Sequence, residues 1–510
     1  MQDITIIVSE AGTAAARTFA YKIQIEGNVV SERILTPVQT AQVQELTLQY
    51  FSLLEGAGRH KYASAKGYLS LLRDGISHLF QEAGGRDLAS GISPGARLTV
   101  RSSIPEVLQL PWELLAHFSD KPGEYSDISV IRQPIAASAA VEKLNPSPGP
   151  LRLLFLASEP LDYEAEEKSI LEAACGLDME VVICESATIE EIRDLAERFR
   201  PHLLHLACQA KMAEGRAALS LASPNATAGR AALLGSEDLA IALQGLGLAA
   251  VILSGPQSES SVALHLLCQR LSETVPMAVA WNAETARARP FYHALASGQS
   301  IELALRTLLR EGLSSSMSSS AGLDSKTASF PALYSIIPQS KIFNPPEGGA
   351  ASTVFACHEV SKLPGLNEGH ADCFVGRRRE IAELLPGLRD GSMNALVITG
   401  PEGAGKSTLA VFLSMQMESL GYSILPLYSS PYNPITSTRL LEAAAFHLGG
   451  LGIEVAAKDL KDAKLSVKER LRVLADALKS THILMLWDGL ETDGQNGRIL
   501  DPDLAEFYLQ

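Results

Sequence analysis

The segment Gly400-Pro401-Glu402-Gly403-Ala404-Gly405-Lys406-Ser407 constrains this chain more than any other feature. It fits the pattern Gly-x-x-x-x-Gly-Lys-Ser. It stands between a β-branched apolar run at residues 395–399 and a run of helical periodicity at 408–420. The spacing predicts a strand, a glycine-rich turn and a helix. Glycines let successive backbone N–H groups turn inward around phosphate oxygens, and the helix N-terminus adds partial positive charge. Lys406 is then placed to reach the β- and γ-phosphates and the Ser407 hydroxyl to ligate Mg²⁺. Gly400, Gly403, Gly405, Lys406, Ser407 and Thr408 are the expected nucleotide-binding residues, with ATP and Mg²⁺ as ligands.

Downstream, Ile483-Leu484-Met485-Leu486-Trp487-Asp488 is an apolar run ending in a carboxylate, followed by Gly489-Leu490-Glu491. A buried strand delivering one Asp at its C-terminal end suits Mg²⁺ coordination opposite a phosphate loop. Asp488 is the expected second metal ligand, and Glu491 is placed to orient an attacking water.

Composition narrows the rest. The 510 residues are enough for about three domains. At 46% apolar and 20% charged they have the balance of globular protein. A formal charge of −15 argues against a general nucleic-acid-binding surface, which needs excess Lys and Arg. The six cysteines form no Cys-x-x-Cys pair and read as free thiols of a reducing compartment. The strand-like start, Asp3 to Val8, lacks the features of a signal peptide, and no uncharged apolar stretch reaches membrane-spanning length. The expectation is a cytoplasmic protein without membrane contact.

Before residue 338, apolar runs at 151–156, 180–183, 202–207 and 248–253 alternate with helical patterns at 164–177 and 189–199. This rhythm predicts a mostly parallel sheet flanked by helices. Residues 1–145 are less regular and read as a supporting lobe. The serine run 314–320 reads as a loop, and the Pro/Gly/Ser-rich stretch 338–370 as an inter-domain linker before a module at 371–510.

Phe374-Val375-Gly376-Arg377 with Glu380, together with the Asp-Gly-Leu-Glu ending of the second strand, resembles the STAND/AAA-type ATPases, including the NACHT and NB-ARC groups. The resemblance implies that Val375, Gly376 and Arg377 lie near the adenine. It also implies a sensor strand, lid helices and a winged helix, which do not fit between Asp488 and Gln510. Binding is therefore expected over hydrolysis, with the module truncated at its C-terminus.

A second resemblance lies upstream. Leu110-Pro111-Trp112-Glu113-Leu114-Leu115, Ala187-Thr188-Ile189, His205-Leu206-Ala207, Val251-Ile252-Leu253-Ser254 and Phe291-Tyr292-His293-Ala294-Leu295-Ala296-Ser297-Gly298 are similar in order and spacing to CHAT domains, the caspase- and separase-like peptidases. The fold implied is a caspase-like parallel-sheet sandwich over 146–337, with the supporting lobe at 1–145. The catalytic dyad implied is His after the first strand and Cys after the second. Here those places hold Gln209 and Pro256, neither of which supplies a base or a thiol. Cys208 and His205 are an odd number of residues apart on one strand, so they face opposite sides and do not pair. Ser254 has no obvious base, and His202 and His205 read as hydrogen-bonded structural histidines.

Together these readings predict an ATP-binding signalling NTPase with an N-terminal CHAT-like pseudo-peptidase serving as a docking or regulatory domain. Protein partners are expected through that domain, along with nucleotide-dependent self-assembly. Two alternatives stay open: an active peptidase with an unrecognised nucleophile, and a non-catalytic scaffold with a decayed phosphate loop.

Overall fold

The computed structural model describes residues 2–12, 17–54, 65–81, 88, 92–115, 128–135, 147–157, 163–184, 189–221, 232–255, 261–281, 288–317, 330–337, 341–345, 353–356, 377–389, 391–401, 403–419, 421–429, 433–490 and 499–508. Pro256, Val375, Gly376 and Glu491 lie outside the described residues, as do Ala187 and Thr188 of the CHAT-like pattern. The chain divides into two compact units, the first ending at Ala356.

The strands of the first unit are β1 (Asp3–Glu10), β2 (Phe19–Ile25), β3 (Asn28–Ile34), β4 (Arg97–Ser102), β5 (Ser129–Pro134), β6 (Ser147–Pro148), β7 (Leu151–Ala157), β8 (Met179–Ile183) and β9 (Leu203–Ala207). They continue with β10 (Gln209–Ala213), β11 (Arg216–Leu221), β12 (Ala232–Gly235), β13 (Ala250–Ser254), β14 (Met277–Trp281), β15 (Ala332–Ser335), β16 (Phe343–Asn344) and β17 (Thr353–Ala356). A twelve-stranded sheet takes them in the order β17–β8–β7–β9–β13–β14–β15–β5–β4–β1–β2–β3. Only the neighbours β1–β2, β2–β3 and β14–β15 are antiparallel. The fold is α/β with a large, mostly parallel sheet.

Parallel strands covered on both faces need side chains that tolerate burial on either side, hence their continuous apolar runs. In β9 every residue is buried, and alternation sends Leu204 and Leu206 into one core and Leu203 and Ala207 into the other. The amphipathic helix Ile189–Phe199 buries Ile192 and Leu195 in the first of these cores.

Three features depart from the sequence reading. Residues 1–145, read as a less regular supporting lobe, share the main sheet, because β15 pairs with β5 and β5 with β4, carrying β1–β3 into it. The serine run does not begin as a loop, since the helix Ile301–Met317 continues through Ser314, Ser315 and Ser316. The stretch expected as linker contributes β16, paired with β6, and β17, which adds an edge strand beside β8.

Leu110 to Leu115 has a structural task. Trp112 and Glu113 open a short 3₁₀ turn, and the buried Trp112 indole donates to the Val107 carbonyl at 2.8 Å. Glu113 accepts both guanidinium arms of the fully buried Arg132 of β5, at 2.6 and 2.8 Å. Arg132 also donates to the carbonyls of Leu108 and Leu110. A buried charge is tolerable when its partner and donors are satisfied in this way.

The second unit contains the helices Arg378–Arg389 and Lys406–Ser419, the parallel pair β18 (Ser423–Tyr428) and β19 (Ile483–Asp488), and the helices Ser437–Gly450, Glu454–Lys461, Val467–Lys479 and Pro502–Tyr508. Residues 395–399, expected as a strand, join no described strand. Leu396 and Ile398 pack against the cluster that holds Ile381, Leu409 and Leu413, whereas Val397 is 64% exposed. The burial alternates as in a strand, but among the described residues no strand pairs with it. Among the described residues no helix is long and apolar enough to cross a membrane.

Candidate functional site

The glycine-rich segment expected to bind phosphate forms a turn running into the helix that starts at Lys406. Gly403 and Gly405 both hold φ near +77°, a left-handed conformation that a Cβ would strain. A Cβ at Gly405 would meet nothing within 4 Å, so backbone conformation, not crowding, calls for glycine there. Gly400, Gly403 and Gly405 are exposed, and Lys406, Ser407 and Thr408 half-buried on the first helical turn. A polyanion therefore has access to the helix N-terminus.

Two contacts organise the loop. The Lys406 ammonium donates to the Pro401 carbonyl at 2.9 Å, folding back over its own turn. The Ser407 hydroxyl donates to Asp488 Oδ1 at 2.9 Å, joining groups 81 residues apart. The helix Lys406–Ser419 packs on β18 and β19, and this brings the two together. Arg377, at φ +60°, pairs with Glu380 at 2.9 Å and donates to the Ala404 carbonyl within the loop. Thus Arg377, Gly400, Gly403, Gly405, Lys406, Ser407, Thr408 and Asp488 gather at one end of the β18–β19 pair.

The donor set suits magnesium. Mg²⁺ takes hard oxygen ligands, typically one or two from protein with the rest from phosphates and water. Ser407 Oγ and Asp488 Oδ1 already lie within hydrogen-bond distance of each other. Asp488 is also held through its backbone, its carbonyl accepting from the Ser429 N–H at 2.8 Å. Beside it, burial and then the Asp488 charge push the Tyr428 phenol up to about 12, so this hydroxyl keeps its proton at neutral pH. Sequence reading missed Tyr428. Its position at the end of an apolar run was the only signal available; the pairing with Asp488 needed the register.

In the first unit, β9 and β13 are adjacent and parallel, with Ala207 opposite Ser254. Gln209 begins β10 and pairs across to Ser220 of β11. Cys208 enters one core, while His205, on the other face, rings against Phe155, Trp281 and Tyr292. The two do not meet, as strand alternation requires. The described cysteines Cys175, Cys184, Cys208 and Cys268 are free thiols. His202 accepts the Arg152 N–H on Nδ1 at 2.9 Å.

One correction concerns Ser254, which has an imidazole beside it after all. His205 Nε2 lies 2.8 Å from Ser254 Oγ, and His205 Nδ1 lies 2.5 Å from Tyr292 Oη. All three side chains are buried. The apolar runs at 202–207 and 248–253 were legible as strands, but register was needed to bring His205 to Ser254. The group resembles a nucleophile–base–orienter set, with phenol in place of carboxylate. Burial pushes His205 down to about 3. Protonating it at pH 7 therefore costs about 5 kcal/mol, and among the described residues no carboxylate contacts the ring to offset that. The arrangement ties β9, β13 and the helix Arg289–Ala296 together better than it could activate a hydroxyl.

No protein-family model matches the chain, and no curated protein is significantly similar to it.

Proposed function

We propose that the chain is an ATP-binding signalling NTPase of the STAND type whose N-terminal, CHAT-like unit has lost peptidase chemistry and serves as a docking or regulatory domain. The observation that carries this reading is the 2.9 Å bond from Ser407 to Asp488, beside glycines in left-handed conformation. Ser407 and Asp488 would hold Mg²⁺ in place of their mutual bond, with phosphate oxygens and water completing its shell. Lys406 would exchange the Pro401 carbonyl for a phosphate oxygen. Arg377, braced on the Ala404 carbonyl and Glu380, holds the loop's shape.

Such a site turns nucleotide state into loop geometry, which is what a switch requires. By resemblance, its output is assembly or partner binding, and the caspase-like unit provides the partner surface. In that unit Gln209 stands where a base is needed, and Pro256 where a thiol is.

Titration calorimetry tests the reading. The wild-type chain is expected to bind ATP with Mg²⁺, and Lys406→Ala to weaken binding by about 1.5–3 kcal/mol, the scale of a hydrogen bond to a charged group. Equal affinities would sink it. A second reading, a serine-dependent hydrolase, is favoured by the His205–Ser254 contact at 2.8 Å. It is the weaker reading, because the imidazole is buried and lacks a counter-charge.

A further inference from the structure

We propose that Tyr428 is a positioning residue of the nucleotide site, its hydroxyl supplying a hydrogen bond to the hydrated Mg²⁺ held by Ser407 and Asp488. This rests on the nucleotide-binding reading above. Tyr428 and Asp488 are paired residues on adjacent parallel strands, so both side chains leave the same face, about 4.8 Å apart at the backbone.

That face is turned toward the phosphate-loop helix. Asp488 reaches Ser407 there. Ile424, Leu486 and Val411 bury together, with Leu484 and Tyr428 packed against them. The even-numbered residues of β18 and β19 thus form one stripe, apolar along its length and polar at its Asp488 end. Tyr428 lays its ring on the apolar part.

The hydroxyl is enclosed and has no hydrogen-bond partner among the described residues. A buried donor left unpaired costs about 1–3 kcal/mol, so such groups call for an explanation. An unpaired hydroxyl one strand away from the expected metal ligand fits a site completed by the hydrated cation. A phenol donates to water or phosphate oxygen and repels no anion, unlike a second carboxylate.

The test is titration calorimetry of the full chain with ADP, once with Mg²⁺ and once with chelator. Tyr428→Phe keeps the ring and its packing and removes only the hydroxyl. We expect it to bind Mg²⁺–ADP about tenfold more weakly than wild type, the loss of roughly one such bond. We expect metal-free ADP to bind it equally well. Tyr422→Phe, the half-buried tyrosine preceding the same strand, serves as the control and is expected to bind both forms like wild type. Equal weakening of both forms by Tyr428→Phe would reveal a structural role and overturn the proposal, as would no weakening of either. If Lys406→Ala loses affinity while Tyr428→Phe does not, only the tyrosine's role falls. If wild type binds neither form, both readings fall.

Discussion

Replacing Arg132 by Met asks how the first unit is held together. The guanidinium is 1% exposed and its partner carboxylate, on Glu113, 4%. It makes two bonds to Glu113 and one each to the Leu108 and Leu110 carbonyls. Methionine matches the aliphatic stem and restores none of these. The change leaves a carboxylate and two carbonyls in a place water does not reach. Breaking one side of a buried pair costs about 3–5 kcal/mol, a large part of the 5–15 kcal/mol that holds an ordinary domain. The damage extends further, because Tyr334 lies under the same guanidinium and hydrogen-bonds His265.

Urea unfolding followed by tryptophan fluorescence reads this directly. Trp112 and Trp281 are buried in the first unit, so a Trp487→Phe background leaves their signal alone. The double change Glu113→Leu with Arg132→Met is expected to recover most of the loss, since replacing both partners of a buried pair with apolar groups is often neutral. A single variant that loses less than about 1 kcal/mol would refute the reasoning. So would a double variant whose loss equals the sum of the two single ones.

Two further outcomes are expected. Burial pushes His205 and His265 down to about 3 and His202 to about 4, all below the unfolded value of about 6.5. The stability these neutral rings allow is whole above pH 6.5 and is lost as pH falls toward the folded values, on the order of 2 kcal/mol per histidine by pH 5. A flat urea midpoint for the first unit between pH 7 and pH 5 would contradict it. The wild-type chain, with or without ATP, is expected to leave a fluorophosphonate probe unreacted at Ser254 and to cleave no peptide library; labelling of Ser254 found by mass spectrometry would restore the hydrolase reading.

Much of this was legible in the residues because it depends on local pattern. The helix Ile189–Phe199 declares itself through its apolar spacing, and β7, β8, β9 and β13 through short runs buried on both sides. The pairing of Ser407 with Asp488 was foreseeable because the glycine-lysine-serine turn and the strand-end carboxylate each carry their own chemistry. What escaped was decided at long range. Nothing in β1 or β4 says that β5 will meet β15 and so carry the supporting lobe into the main sheet. The serines after Leu313 read as loop, but their helix had already been nucleated by Ile301, Ala304, Leu305 and Leu308 against the core. The alternating pattern of residues 395–399 is intact, yet a pattern promises only a face; the ladder needs a neighbour. Register alone brought His205 to Ser254 and Tyr428 to Asp488.

The two units differ in what their polar groups can still exchange. At the end of β19, Lys406 bonds a carbonyl of its own loop at the surface and the half-buried Ser407 bonds Asp488, each replaceable by a stronger, charge-assisted bond to phosphate or cation. Under the proposed function, a ligand there would exchange weak internal contacts for strong ones. At the end of β13, Ser254, His205 and Tyr292 bond one another out of reach of water. A substrate entering there must break these buried bonds before it forms any, which is costly out of reach of water. That asymmetry, more than the identity of any one residue, supports the proposed ligand exchange at the Gly400–Ser407 turn and a mechanical role for the buried histidine.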